Sequence, residues 1–179
     1  MIDDARSMSP YWHTDEGGVV SLAKVLAYLV KESDKDGLDL FFTCTQRHHN
    51  VSSATAMEEN LLRKPIDTVA TSNMATSLGR ITLEYARRLH KERHKAEKWK
   101  TPFTKRTALK PLSIYVFTDA VWQPDCHVGR VIAALAKTVK ELEFPDEQVG
   151  IQFIRFGSDP VCTSKLRDLD DGVGLGIAE

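Results

Sequence analysis

A chain of 179 residues, 42% of them apolar, has room for one domain with a sizeable core. Its net charge of −1 gives no bulk attraction to nucleic acid or to anionic membranes. It has no run of about 18 apolar residues of the kind that spans a bilayer, and Asp3 and Asp4 stand where the basic region of an export signal would lie. Cys44, Cys126 and Cys162 are odd in number and far apart, with no CxxC pair. That pattern argues against structural disulfides and a zinc knuckle, and fits a reducing, cytoplasmic setting.

In chain order, the segment from Val19 to Lys31 sets Val19, Leu22, Val25, Leu26 and Leu29 on one helical face. Asp36-Gly37 ends that helix, and Leu38 to Thr43 reads as a buried strand. Ser53 to Lys64 reads as a short helix closed by Pro65, and Thr76 to Lys98 as a long one with Leu78, Ile81, Leu83, Tyr85, Ala86 and Leu89 as its apolar stretch. Leu112 to Thr118 is the clearest strand. Val128 to Leu142 is a helix with Val131, Leu135, Val139 and Leu142 at helical spacing. Val149 to Phe156 is a further strand, and Pro160 to Leu169 a last short helix.

Apolar strands alternating with helices indicate an α/β fold, a doubly wound, mostly parallel sheet covered on both faces. Such sheets bind ligands at the carboxyl ends of their strands. Asp3 and Asp119 each stand at such an end. The loop Asp3-Asp4-Ala5-Arg6-Ser7 gathers carboxylate and hydroxyl oxygens, the donors a hard cation such as Mg²⁺ takes.

These residues carry a resemblance to the von Willebrand factor type A domain, particularly the form common in fungal proteins of unassigned role, over nearly the whole chain. Asp3-Asp4-Ala5-Arg6-Ser7 resembles the DxSxS loop of that family's metal-ion-dependent adhesion site. Ala75-Thr76-Ser77-Leu78-Gly79 stands where a second loop supplies a threonine, and Val116-Phe117-Thr118-Asp119-Ala120 matches the third loop, which supplies an aspartate. Gln148 to Phe153, Gly157 and Leu169-Asp170-Asp171 resemble the fungal form. The resemblance implies a single Rossmann-like three-layer sandwich that binds proteins rather than catalysing a reaction. Ser7 and Thr76 would hold Mg²⁺ or Mn²⁺ directly, Asp3 and Asp119 would hold its waters, and an Asp or Glu of a partner protein would fill the open position.

The chain departs from the pattern where Ala5 replaces the loop's first serine, which removes a hydroxyl ligand and lowers the expected metal affinity. Arg6 and Ala120 also replace turn glycines. Only Met1 and Ile2 precede Asp3, and the tail from Gly172 to Gly176 stands where the family continues into another strand and helix. The expectation is a domain truncated at both ends, a fragment or variant gene model. A metal-free interaction or scaffold domain using the same face is the alternative function, and a metal-assisted hydrolase with His127 as its base is a third.

Other features read more plainly. The Lys- and Arg-rich run from Arg87 to Lys110, with Trp99 and Phe103, is expected to be a solvated helix end and loop rather than a nucleic-acid site. His90 and His94 share a helix face without the glutamate of a zinc protease, and His48-His49 reads as a polar loop. Cys126 follows Asp125, a poor setting for a thiolate nucleophile. No GxSxG elbow or GxxxxGK[ST] loop is present. Thr71-Ser72-Asn73 reads as helix-capping sequence, or as a source of further hydrogen bonds at the Thr76 loop.

Overall fold

The apolar run LSIYVFT forms the organising strand because both of its faces find partners. A computed structural model describes residues 1–13, 17–33, 37–45, 48–62, 71–98 and 109–174, excluding the side chains of 31–33, 48–49 and 172–174. Asp36, Pro65, Trp99, Phe103 and the chain beyond 174 lie outside these residues. The elements run α1 (Val19–Ser33), β1 (Leu38–Phe41), β2 (His48–Val51), α2 (Ala54–Leu62), α3 (Met74–Lys98), β3 (Leu112–Thr118), α4 (Val128–Glu141), β4 (Val149–Arg155) and α5 (Pro160–Gly174). Short 3₁₀ helices span Arg6–Tyr11 and Asp146–Gln148.

The fold is mixed α/β with two small sheets. β3 and β4 pair in parallel from Leu112↔Val149 to Thr118↔Arg155. β1 and β2 form an antiparallel pair from Leu38↔Val51 to Phe41↔His48. Ile2 makes parallel bridges to both Phe42 and Phe117. Its amide donates to Phe41 O at 2.7 Å and its carbonyl accepts from Thr43 N at 3.1 Å. On the other side Phe117 N donates to Met1 O at 3.0 Å and Asp3 N to Phe117 O at 2.9 Å. Two residues therefore connect the ends of both pairs and deliver Asp3 between them.

Alternation along β3 divides the core. Phe117 and Tyr115 pack with Ile154, the 3₁₀ segment's Met8, Trp12, and α1 and α2. Ile114 and Val116 pack with Phe153, Trp122 and apolar residues of α3, α4 and α5. Helices thus lie against both faces of β3. Burying a side chain such as Phe117 contributes roughly 1.5–3 kcal/mol. A third cluster closes the amino end of the strands: Tyr85 and Leu89 of α3 meet Leu135, Val139 and Phe144.

Of the expected parallel sheet the structure shows one parallel pair, β3–β4, while β1–β2 is antiparallel. Other expectations need correction. His48-His49 begins strand β2, not a loop; being polar, it carries no hydrophobic alternation to reveal it. Helix α1 buries Val19, Val20, Ala23 and Ala27, whereas Leu22, Val25 and Leu29 are exposed. Apolar residues surround this helix on nearly every side, and the narrow face that carries alanines is the one that meets the bulky Trp12 and Phe42 within the same cluster. In α3, Leu83 is likewise exposed, and Thr82 takes the buried position.

Candidate functional site

Phe42-Thr43, just after β1, and Phe117-Thr118, which closes β3, repeat the same Phe-Thr pair, and this repetition builds the site. Phe42 and Phe117 bridge Ile2, and the residues that follow them, Thr43 and Thr118, turn their hydroxyls to Asp3. Thr118 Oγ1 donates to Asp3 Oδ2 at 2.8 Å, and Thr43 Oγ1 lies 3.0 Å from Oδ1, which also accepts from Ala5 N at 3.3 Å. The Asp3 side chain is fully enclosed. Burial is the main reason its carboxyl is pushed up to about 6; the nearby Asp119 charge pushes the same way, while the hydroxyl and amide bonds oppose them.

Asp4 has a different task. Its Oδ1 accepts from Cys44 N at 2.6 Å, and its Oδ2 accepts from Thr45 N at 3.2 Å and Thr45 Oγ1 at 2.7 Å. It fixes the turn after β1 by satisfying backbone groups that the strand has released. Asp119 follows β3 and is buried; its Oδ1 accepts from Val121 N at 3.0 Å. Ala120 beside it holds a φ of 63°, a left-handed conformation that glycine would adopt without strain.

Ser7 lies in the 3₁₀ segment just after the aspartates. Its Oγ is buried and has no hydrogen-bond partner among the described residues. Ser72 Oγ shares that condition. Thr76 is exposed in the first turn of α3, with its amide donating to the capping Asn73 Oδ1 at 2.9 Å. Asn73 is thus the helix cap, and its Nδ2 also donates to Gln123 Oε1 at 3.0 Å. The adjacent Ser77 Oγ donates to Thr43 O at 3.1 Å, which ties the start of α3 to the turn beside Asp3.

The structure therefore brings Asp3 and Asp119 within electrostatic reach of each other. It adds Thr43, Thr118 and Ser77, which sequence reasoning missed. The available signal was the repeated Phe-Thr ending of two apolar runs. As to the fit of a cation, a buried hydroxyl lacking a partner and two neighbouring buried carboxylates suit a hard, oxygen-seeking ion. Among the described residues no three His, Cys, Asp or Glu side chains cluster as metal ligands, so hydroxyls would have to complete any such set.

The remaining candidates lie elsewhere in function. Cys126 Sγ accepts from Ala75 N at 3.1 Å, and burial raises its pKa more than the neighbouring amides and Lys165 lower it. That is the state of an inert thiol. His90, His94 and His127 are exposed. The described part of the basic run is laced with ion pairs, Arg88 with Glu84, and Arg93 with Glu97 and Glu143. No described helix is long and apolar enough to cross a membrane. Comparisons of the chain with protein-family models, with curated proteins and with solved structures returned no match.

Proposed function

We propose that this chain is a protein-binding module of the von Willebrand factor A type, recognising an acidic residue of its partner through the face that carries Asp3 and Asp119. In this reading β2, β1, the Met1–Ile2 stub, β3 and β4 act as one doubly wound sheet. Ser7 and Thr76 hold Mg²⁺ or Mn²⁺ by their hydroxyls. Asp3 and Asp119 supply negative charge and orient its waters. A bound cation would offer a positive centre to the partner's Asp or Glu.

The observation that carries the reading is the buried Ser7 Oγ, without a hydrogen-bond partner among the described residues, on the loop whose Asp3 is destabilised by burial and by Asp119. A buried hydroxyl left unpaired costs about 1–3 kcal/mol, and a cation nearby offsets both that cost and the carboxylate repulsion. Thr118 and Thr43 hold Asp3 in one orientation, so the loop needs little rearrangement to receive an ion. Ala5 is buried in the position of a missing hydroxyl ligand, which sets the expected affinity low.

A metal-free use of the same face is favoured by one observation: both Asp3 oxygens already accept hydrogen bonds from the protein. Calorimetric titration of Mg²⁺ and Mn²⁺ separates the two readings. Weak binding in the parent, loss in Asp119→Ala and tightening in Ala5→Ser is the expected result. Absence of heat in both the parent and a folded Ala5→Ser variant leaves the metal-free reading.

A further inference from the structure

The turn after β3 carries Asp119 and leaves the strand ladder, so its backbone groups need other partners. Ala120 N donates to Thr118 Oγ1 at 3.0 Å, and Val121 N donates to Asp119 Oδ1 at 3.0 Å. Ala120 O accepts from Lys165 Nζ of α5 at 2.8 Å. Ala120 is fully buried and holds a φ of 63°. A residue with a Cβ is strained in that conformation, which persists only where the surroundings over-determine it. Thr118 and Asp119 do so from the strand end, and Lys165 does so from a helix 45 residues further along the chain.

Lys165 has a firm base. Cys162, Leu166 and Leu169 of α5 pack in the same cluster as Ile114 and Val116 of β3. Gly129 of α4 lets Leu169 approach so closely that a Cβ there would sit 3.3 Å from Leu169 Cδ2. Leu169 is four residues from Lys165, hence its neighbour on the helix surface. The Lys165 ammonium also lies 5.2 Å from the centre of the Trp122 ring, within reach of a cation–π contact. Among the described residues it forms no ion pair. The Trp122 indole N–H donates to Thr118 Oγ1 at 2.9 Å, and that hydroxyl donates to Asp3 Oδ2 at 2.8 Å. One side chain of α5 thus reaches both carboxylates of the candidate site, Asp119 through the Ala120 carbonyl and Asp3 through Trp122 and Thr118.

We propose that Lys165 is a positioning residue of the candidate site, holding the Ala120 turn in its strained conformation and so fixing where the Asp119 carboxylate stands. Without the ammonium, Ala120 O is an acceptor short of a partner, and the turn relaxes toward the negative φ that alanine prefers. Asp119 then shifts relative to Asp3. A positive charge in this place also has an effect of opposite sign, the repulsion of a cation. The geometry favours the clamp, because Nζ is engaged by a backbone carbonyl and a ring face. The consequence for cation binding rests on the function proposed above; the clamp itself does not.

The test uses the whole chain with Lys165→Met, which keeps an unbranched stem over Trp122 and removes the donor, and with Lys165→Arg, which restores a charged donor. Amide hydrogen exchange in EDTA reads the clamp without metal. In Lys165→Met the amides of Ala120 and Val121 should lose about tenfold more protection than that of Val116, which is fully buried in β3. Titration with Mn²⁺ should show binding roughly tenfold weaker in Lys165→Met. Lys165→Arg should recover both properties. Equal loss at all three amides marks a general loss of stability and overturns the clamp, as does no loss at any of them. Mn²⁺ binding that is unchanged in Lys165→Met overturns the positioning role, and tighter binding overturns it by marking Lys165 as a repelling charge. If the parent binds no Mn²⁺, the cation reading of the face fails. The exchange data then decide whether Lys165 positions Asp119 for a metal-free use of that face.

Discussion

The Thr118 hydroxyl donates to Asp3 Oδ2 at 2.8 Å while accepting from Ala120 N at 3.0 Å and from Trp122 Nε1 at 2.9 Å. Both of its acceptor positions are occupied, so its single proton is committed to Asp3. One side chain thereby joins the end of β3, the strained Ala120 turn and the first loop of the chain.

Thr118→Val keeps the shape and removes all three bonds. It leaves a buried indole N–H, a buried amide and a buried carboxylate short of partners. Destabilisation of about 2–4 kcal/mol is expected, read as a lower denaturant midpoint at unchanged m. Thr118→Ser should recover most of the loss. Equal midpoints for Thr118→Val and the parent would show that the bonds carry no net stability.

The pH dependence follows from one buried carboxyl. Asp3 rises from 3.8 to about 6 on folding, so the native state binds more protons between those values. In metal-free buffer its contribution, on the order of 3 kcal/mol, is present below about pH 4 and lost as the pH rises through 6. The difference in stability between Asp3→Asn and the parent isolates this group. It should change in favour of Asn from pH 4 to 6 and then level off, and a difference flat across that range contradicts the assignment.

How much of this was legible in the sequence depended on how unequal the faces of each segment were. β3, α4 and β4 lie within a residue of their expected bounds, because LSIYVFT and the Leu135/Val139 spacing admit one reading. The β1–β2 hairpin was half hidden, since HHNV has the pattern of a loop and becomes a strand only by pairing with Leu38–Phe41. At the site, Asp3 and Asp119 were visible as carboxylates at strand ends. Thr43 and Thr118 were not, because a threonine closing an apolar run looks like part of the strand until its hydroxyl finds a partner.

Helix α1 offers the sharpest contrast between pattern and packing. Leu29 is 57% exposed and Ala27 only 3%. Leu29→Lys should therefore change stability by no more than about 0.5 kcal/mol. Ala27→Leu should cost about 1–3 kcal/mol by overpacking the face that meets Trp12 and Phe42. Thermal unfolding of the two variants checks the face, and the reverse ranking would restore the Leu22/Val25/Leu29 side as the buried one.

Gly157, just beyond β4, connects that strand to the first segment of the chain. It holds a φ of +77°, and a Cβ there would lie 2.5 Å from Tyr11 Oη. Tyr11 in turn packs on Phe156, with ring centroids 6.0 Å apart. Gly157→Ala meets two separate costs: the left-handed backbone, about 1–2 kcal/mol, and displacement of the tyrosine. Tyr11→Phe removes only the second, since it deletes the oxygen and leaves the backbone unchanged. A double-mutant cycle should then show Gly157→Ala less damaging in the Tyr11→Phe background than in the parent, yet still destabilising by the backbone amount. Strict additivity would mean that the tyrosine swings away freely, and full recovery would mean that the backbone at 157 bears no strain.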